Sequence, residues 1–155
     1  MSNSDQPMLT ARPVLLVEDN RDDEKLTLRA LRKANVANPV VVVRDGVEAL
    51  DYLLARGEHA DRRPDQDPTL VLLDIKLPKL DGHEVLRALR KEDRTKLLPV
   101  VMLTSSDEER DLVESYHNGA NSYVKKPVQF EAFVKAVVQL GLYWLVLNEP
   151  PPARR

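Results

Sequence analysis

Leu70-Val71-Leu72-Leu73-Asp74-Ile75-Lys76-Leu77-Pro78 decides the fold: an unbroken apolar run ends in a carboxylate and then meets a proline. The pattern recurs along the chain. Val14-Leu15-Leu16-Val17 runs into Glu18 and Asp19, and Val100-Val101-Met102-Leu103 into the hydroxyls of Thr104, Ser105 and Ser106. The shorter Ser122-Tyr123-Val124 leads to Lys125-Lys126-Pro127. Apolar runs of this length between turn signals read as strands buried on both faces, the mark of a parallel sheet. Ligands of open α/β sheets bind at the carboxyl ends of such strands. Three carboxylates, a hydroxyl and a lysine are therefore expected at one edge.

Between these runs the pattern turns helical. Asn20 to Asn35 opens with Asp22, Asp23 and Glu24 and closes with Arg32 and Lys33, the charge order that suits a helix dipole. Pro39 to Val43 is a β-branched strand, and Val47 to Ala55 a helix with Val47, Leu50 and Leu54 on one face. Arg56 to Pro68, with Gly57, Pro64 and Pro68, predicts an irregular connector. Asp81 and Glu84 have capping-box spacing ahead of Val85, Leu86 and Leu89, as do Ser106 and Glu109 ahead of Leu112, Val113 and Tyr116. Gly119 ends that helix. A last one starts near Gln129 and carries Phe130, Phe133, Val134, Val137 and Val138. Five strand–helix pairs in alternation predict a doubly wound, five-stranded parallel α/β sheet between two helix layers.

The 155 residues suit one domain, and 43% apolar with 31% charged residues is a globular composition. A net charge of −2 argues against a nucleic-acid partner. No cysteine is present, so disulfides and thiolate metal sites are excluded. No secretory signal or membrane span is evident, and a soluble cytoplasmic protein is expected. Residues 1–12 read as a flexible leader, 13–147 as the domain and 148–155 as a proline-rich tail.

Glu18, Asp19 and Asp74 would repel one another without a cation, and their oxygens suit Mg²⁺. Such a metal, the Lys126 ammonium and the Thr104 hydroxyl would clamp a phosphoryl group, leaving Asp74 as the nucleophile that forms an acyl phosphate. Taken singly, each residue has a structural explanation, as helix cap, turn former or exposed loop lysine. Their shared placement at one end of different strands is what selects the chemistry.

Leu16-Val17-Glu18-Asp19-Asn20, Leu73-Asp74-Ile75-Lys76-Leu77-Pro78 with Asp81-Gly82, Leu103-Thr104-Ser105 and Gly119 to Pro127 together resemble a response-regulator receiver domain. The resemblance covers about Pro13 to Leu147 and implies a flavodoxin-like, CheY-like (βα)5 three-layer sandwich. It implies that Asp74 accepts phosphate from a phosphohistidine on a partner kinase. Asp19, Asp74 and the Lys76 carbonyl would hold Mg²⁺, with Glu18 acting through a water and Mn²⁺ or Ca²⁺ able to substitute. Thr104, Ser105 and Lys126 would bind the phosphate, and the Lys126–Pro127 bond would be cis. Thr104 and Tyr123 would form the switch, and Lys76 and Ser106 would tune hydrolysis. Val128 departs from the aromatic that often follows Lys-Pro in the family.

No charged residue occurs between Lys135 and Glu149, and Leu140, Leu142, Tyr143, Val146 and Leu147 make the end of the last helix apolar nearly all round. A face of this kind predicts a homodimer through Leu140, Tyr143, Trp144, Val146 and Leu147, or a tail folded over its own helix. The tail and the long connector resemble free-standing receivers paired with bacterial or cyanobacterial phytochrome kinases. A phosphate shuttle to a histidine phosphotransfer protein, an aspartyl-nucleophile phosphatase and a scaffold are the competing functions. The phosphatase usually has an acid two residues beyond its nucleophile, where this chain has Lys76.

Overall fold

The computed structural model describes residues 12–105, 109–142 and 145. Strands and helices alternate as β1 (Val14–Val17), α1 (Arg21–Lys33), β2 (Val40–Val43), α2 (Gly46–Leu53), β3 (Leu70–Asp74), α3 (Gly82–Lys91), β4 (Val100–Thr104), α4 (Glu109–His117), β5 (Ser122–Lys125) and α5 (Phe130–Leu140). All strand pairs are parallel, in the order β2-β1-β3-β4-β5. Leu16 pairs with Leu72 and Asp74 with Leu103, so the acidic strand ends lie side by side at the centre of the sheet.

Strand alternation divides the core into two layers. Leu15, Val17, Val71, Leu73, Val100 and Met102 pack with α2 and α3, and Leu16, Leu70, Leu72, Val101 and Leu103 with α1 and α5. The α3 capping box is present: Asp81 accepts from the Glu84 N–H at 2.9 Å and Glu84 accepts from the Asp81 N–H at 3.0 Å. Val85, Leu86 and Leu89 are fully buried, as expected.

Three expected helix faces need correction. Val47 does not face the core; it is 41% exposed, and Ala49, Leu50 and Leu53 are the inner residues of α2. Gly46 sets that rotation, because a Cβ there would lie 2.2 Å from the Leu80 carbonyl oxygen. On α4, Val113 and Tyr116 point outward, at 59% and 50% exposure, while Ser115 is buried. Val134 and Val138 are likewise exposed on α5, whose inner residues include Phe133 and Ala136.

The connector is not irregular throughout. It contains 3₁₀ turns at Gly57–His59 and Pro64–Gln66. The Arg62 guanidinium organises it, donating to the Tyr52 and Leu53 carbonyls at 2.7 and 3.0 Å and to Asp67 at 2.6 Å. It thus caps carbonyls left over at the end of α2.

The final helix stops at Leu140, where Gly141 takes a left-handed φ of 67°. Such a residue ends a helix readily when it lacks a Cβ. Leu142 and Leu145 then turn into the core beside α1 and α5, and Leu140 packs partly against it. Of the expected dimer residues, Tyr143, Trp144, Val146 and Leu147 lie outside the described residues, as do Ser106, the leader up to residue 11 and the tail.

Candidate functional site

Asp74 ends β3 and is buried at 4% exposure; Glu18 follows β1 and is fully buried. One oxygen of each, together with one from Asp19, lies within 4.8 Å of the others. Asp19 is exposed, so the cluster opens to solvent on that side. Across the sheet, Thr104 ends β4 and is buried, and its carbonyl accepts from the Lys126 N–H at 2.6 Å. This bond seats the Lys126-Pro127 segment, whose peptide is cis, beside the acidic strand ends.

The Lys126 ammonium reaches inward from there. It donates to Glu18 Oε1 at 3.0 Å, Asp74 Oδ2 at 3.2 Å and Asp23 Oδ2 at 2.7 Å. Asp23 is the participant that sequence reasoning missed, having been assigned to the helix dipole alone. Its position is set by the start of α1, where Asn20 Oδ1 accepts from the Asp23 N–H at 2.9 Å. The available signal was its place one helical turn beyond Asp19, facing the same edge.

The loop after β3 is held from beneath. The Gly82 N–H donates to the Ile75 carbonyl at 2.7 Å, and a Cβ on Gly82 would stand 2.3 Å from the Asp74 carbonyl oxygen. Only glycine lets α3 begin this close to the strand end. The Lys76 N–H in turn lies 3.4 Å from Asp74 Oδ1, while the Asn20 N–H donates to Glu18 Oε2 at 3.2 Å. Ser105 is exposed just beyond Thr104. Tyr123 is half-buried on the α2–α3 side of the sheet, against Met102 and its neighbours.

Electrostatics follow from this crowding. Burial, then the charge of nearby Asp74, pushes the Glu18 carboxyl up to about 7, against the opposing pull of Lys126. Burial disfavours the Lys126 charge, but the bond to Asp23 and the charges of Asp74 and Glu18 outweigh it and raise its pKa. One ammonium shared by Glu18, Asp23 and Asp74 does not balance them. The donor set of acidic oxygens around Glu18, Asp19 and Asp74 therefore fits a hard divalent cation.

The response regulator receiver domain model matches residues 14–138. The probable methanogenesis regulatory protein FilR2 of Methanothrix harundinacea is 41% identical over 89% of this chain and 86% of its own. Response regulator Rcp1 of Synechocystis is 34% identical over 99% of this chain and all of its own. Its crystal structure, in a Mn²⁺-bound form, superposes with a TM-score of 0.71 over 92% of this chain and 99% of that one. The bacteriophytochrome response regulator AtBRR is 57% identical with a TM-score of 0.79, covering 90% of this chain and 99% of its own. The phosphorylated cyanobacterial phytochrome response regulator RcpA is 37% identical with a TM-score of 0.74, over the same shares.

Proposed function

The chain belongs to the response regulator receiver domain family, and from that premise we propose that Asp74 is the phosphoacceptor of a two-component signalling switch. Receiver domains of this family act as signalling switches. The observation that carries the reading is the meeting of Glu18, Asp74 and Lys126, distant in sequence, within 3.2 Å contacts around one ammonium. The donor is a phosphohistidine on a histidine kinase, and the likeness to AtBRR and RcpA supports a kinase of the bacteriophytochrome class. An Asp74 carboxylate oxygen attacks phosphorus as the phosphorus–nitrogen bond breaks. The electron pair leaves on the imidazole, and the product is an acyl phosphate.

A divalent cation held by Asp19, Asp74 and the Lys76 carbonyl, with Glu18 behind it, would neutralise charge on the phosphoryl oxygens; the Mn²⁺-bound Rcp1 structure supports this assignment. Mg²⁺ is the ion that the oxygen donors suit, and Mn²⁺ or Ca²⁺ can fill the same role. Lys126 is poised to leave its carboxylates for the phosphate, and Thr104 and Ser105 supply hydroxyls from the next strand end. The charge that arrives biases Thr104 and the half-buried Tyr123 ring between two arrangements. A second copy of the chain is the occupant assigned to Leu140, Tyr143, Trp144, Val146 and Leu147, and light scattering of the wild type tests it against a monomer.

Acetyl phosphate with Mg²⁺ should label the wild-type chain with one phosphoryl group, and Asp74→Asn should abolish labelling. An adduct mapped elsewhere in the wild type, or full labelling of the variant, overturns the assignment.

A further inference from the structure

A second set of ligand-type side chains meets where α3 faces α4. His83, in the first turn of α3, is 6% exposed, and among the described residues neither of its ring nitrogens has a hydrogen-bond partner. A buried polar group left in that condition carries a desolvation penalty that a ligand would remove. His83 Nε2 faces Asp111 Oδ1 at 3.6 Å and Glu114 Oε1 at 3.8 Å. Both separations are too long for hydrogen bonds. They are close to what one ion requires: bonds of about 2.0–2.1 Å at tetrahedral angles put neighbouring donor atoms roughly 3.3 Å apart.

The backbone arranges this set in advance. Asp111 and Glu114 are three residues apart on α4 and so share one helix face. Arg87, also on α3, donates to Glu114 Oε2 at 3.4 Å, which leaves Oε1 turned toward the histidine. Asp111 is mostly buried, at 17% side-chain exposure, and Glu114 is half-exposed, at 42%. A hydrated ion can therefore approach from the solvent side.

We propose that His83, Asp111 and Glu114 form a binding site for a borderline divalent metal ion of the Zn²⁺ class, with solvent completing its coordination. The donor atoms distinguish it from the acidic strand-end cluster. One imidazole nitrogen with two carboxylate oxygens suits Zn²⁺, Co²⁺ or Ni²⁺, whereas Mg²⁺ favours oxygen donors throughout. An ion here ties α4 to α3 along the cleft that Asp19, Lys76 and Asp81 also line. It would thus hold α4, the helix that follows the Thr104 strand end, in one position, linking metal occupancy to the response at Asp74. The competing arrangement is a protonated His83 paired with the two acids, which needs no metal.

The test separates the two metal sites. Zn²⁺ and Co²⁺ are titrated, with Mg²⁺ in excess, into the full chain carrying Asp19→Asn and Asp74→Asn, which disables the strand-end cluster. One equivalent of ion should bind, Co²⁺ should give the visible spectrum of a low-coordinate site with nitrogen and oxygen ligands, and Zn²⁺ should raise the melting temperature. Adding Asp111→Asn or Glu114→Gln should weaken binding at least about 10-fold, the loss typical of even indirect changes to metal sites. His83→Gln should abolish it, with circular dichroism as the folding control for this buried position. Absence of binding in the disabled-cluster chain overturns the proposal, as does an affinity unchanged by both Asp111→Asn and Glu114→Gln.

Discussion

At the carboxyl edge of the sheet, Glu18, Asp23 and Asp74 crowd around the one ammonium of Lys126, whereas at the amino edge Asp67 is shared by Arg62 and Arg94. Arg62 also satisfies two helix carbonyls there. Arg90, from the end of α3, donates to the carbonyls of Thr95, Lys96, Leu98 and Gly119 and to Asn121 Oδ1. One edge holds excess like charge under burial; the other spends its charges on closing loops. Strain of the first kind persists only where a ligand or reaction relieves it, and pairing of the second kind is what supports a scaffold. The contrast predicts that substitutions at the two edges should affect different measurements.

The largest effect is expected at Lys126. Lys126→Met should slow labelling of Asp74 by acetyl phosphate about 100-fold, as for other lost donors at developing charge. Its folding stability should fall as well, because the contacts with Asp23, Asp74 and Glu18 outweigh the cost of burying the ammonium and their loss leaves buried carboxylates unpaired. Circular dichroism confirms that the variant used for labelling is folded. A labelling rate within a few-fold of wild type would remove Lys126 from the chemistry. Arg62→Ala should affect stability alone. Loss of charged hydrogen bonds to Asp67 and the α2 carbonyls should cost about 2 kcal/mol in urea unfolding, with the labelling rate retained.

How much of this was legible beforehand depended on the range of the interaction. Buried strands are written as contiguous apolar runs, so β1, β3 and β4 could be read locally, and their acidic or hydroxyl ends marked the site. Helix faces were less secure. In the short α2, periodicity permits more than one inner face, and the close approach of Gly46 to Leu80, a contact between distant segments, selects one that leaves Val47 outside. Val113 and Tyr116 are apolar at core spacing yet exposed, while Ser115 is enclosed. Nor does a sequence reveal that Arg62 folds back onto α2, or that Asp23 turns toward Lys126; both depend on pairing across the fold. The apolar segment after Val138 looked like continued helix because Gly141, which ends it, lies inside an otherwise apolar run.

A smaller effect should appear in the pH dependence of the metal-free protein. The folded-state pKa of Glu18, about 7, stands above its ordinary value of 4.5. Below the lower value both folded and unfolded chains carry the proton, and Glu18 costs nothing. As pH rises from about 4.5 to about 7, the unfolded chain releases its proton while the folded one keeps it, so stability falls; above that window the penalty is constant. Lys126, with a folded pKa above 10.5, keeps its contribution across the window and loses it only at higher pH. In chelator, Glu18→Gln should therefore be about 1–2 kcal/mol more stable than wild type at pH 8, with the difference shrinking toward pH 4.5. A gap that stays constant with pH, or a destabilised variant, would contradict this account of the crowded edge. Saturating Mg²⁺ should narrow the gap at pH 8, because cation binding stabilises the ionised site in the wild type.

The smallest effect tests what positions the loop after β3 within the carboxyl edge. Asp81 caps α3 immediately beside the loop that carries Lys76, and Asp45 caps α2 by accepting from the Glu48 N–H at 2.8 Å. Loss of either cap should cost about 1 kcal/mol. If the loop after β3 is positioned chiefly by Gly82 against Asp74, Asp81→Ala and Asp45→Ala should have matching urea midpoints and similar labelling rates. If the cap itself holds the Lys76 backbone at Asp74, Asp81→Ala alone should slow labelling at equal stability. The Gly82–Ile75 bond of 2.7 Å and the absence of room for a Cβ favour the first outcome. Close backbone contact then sets the position of Asp74, and the caps supply only helix stability.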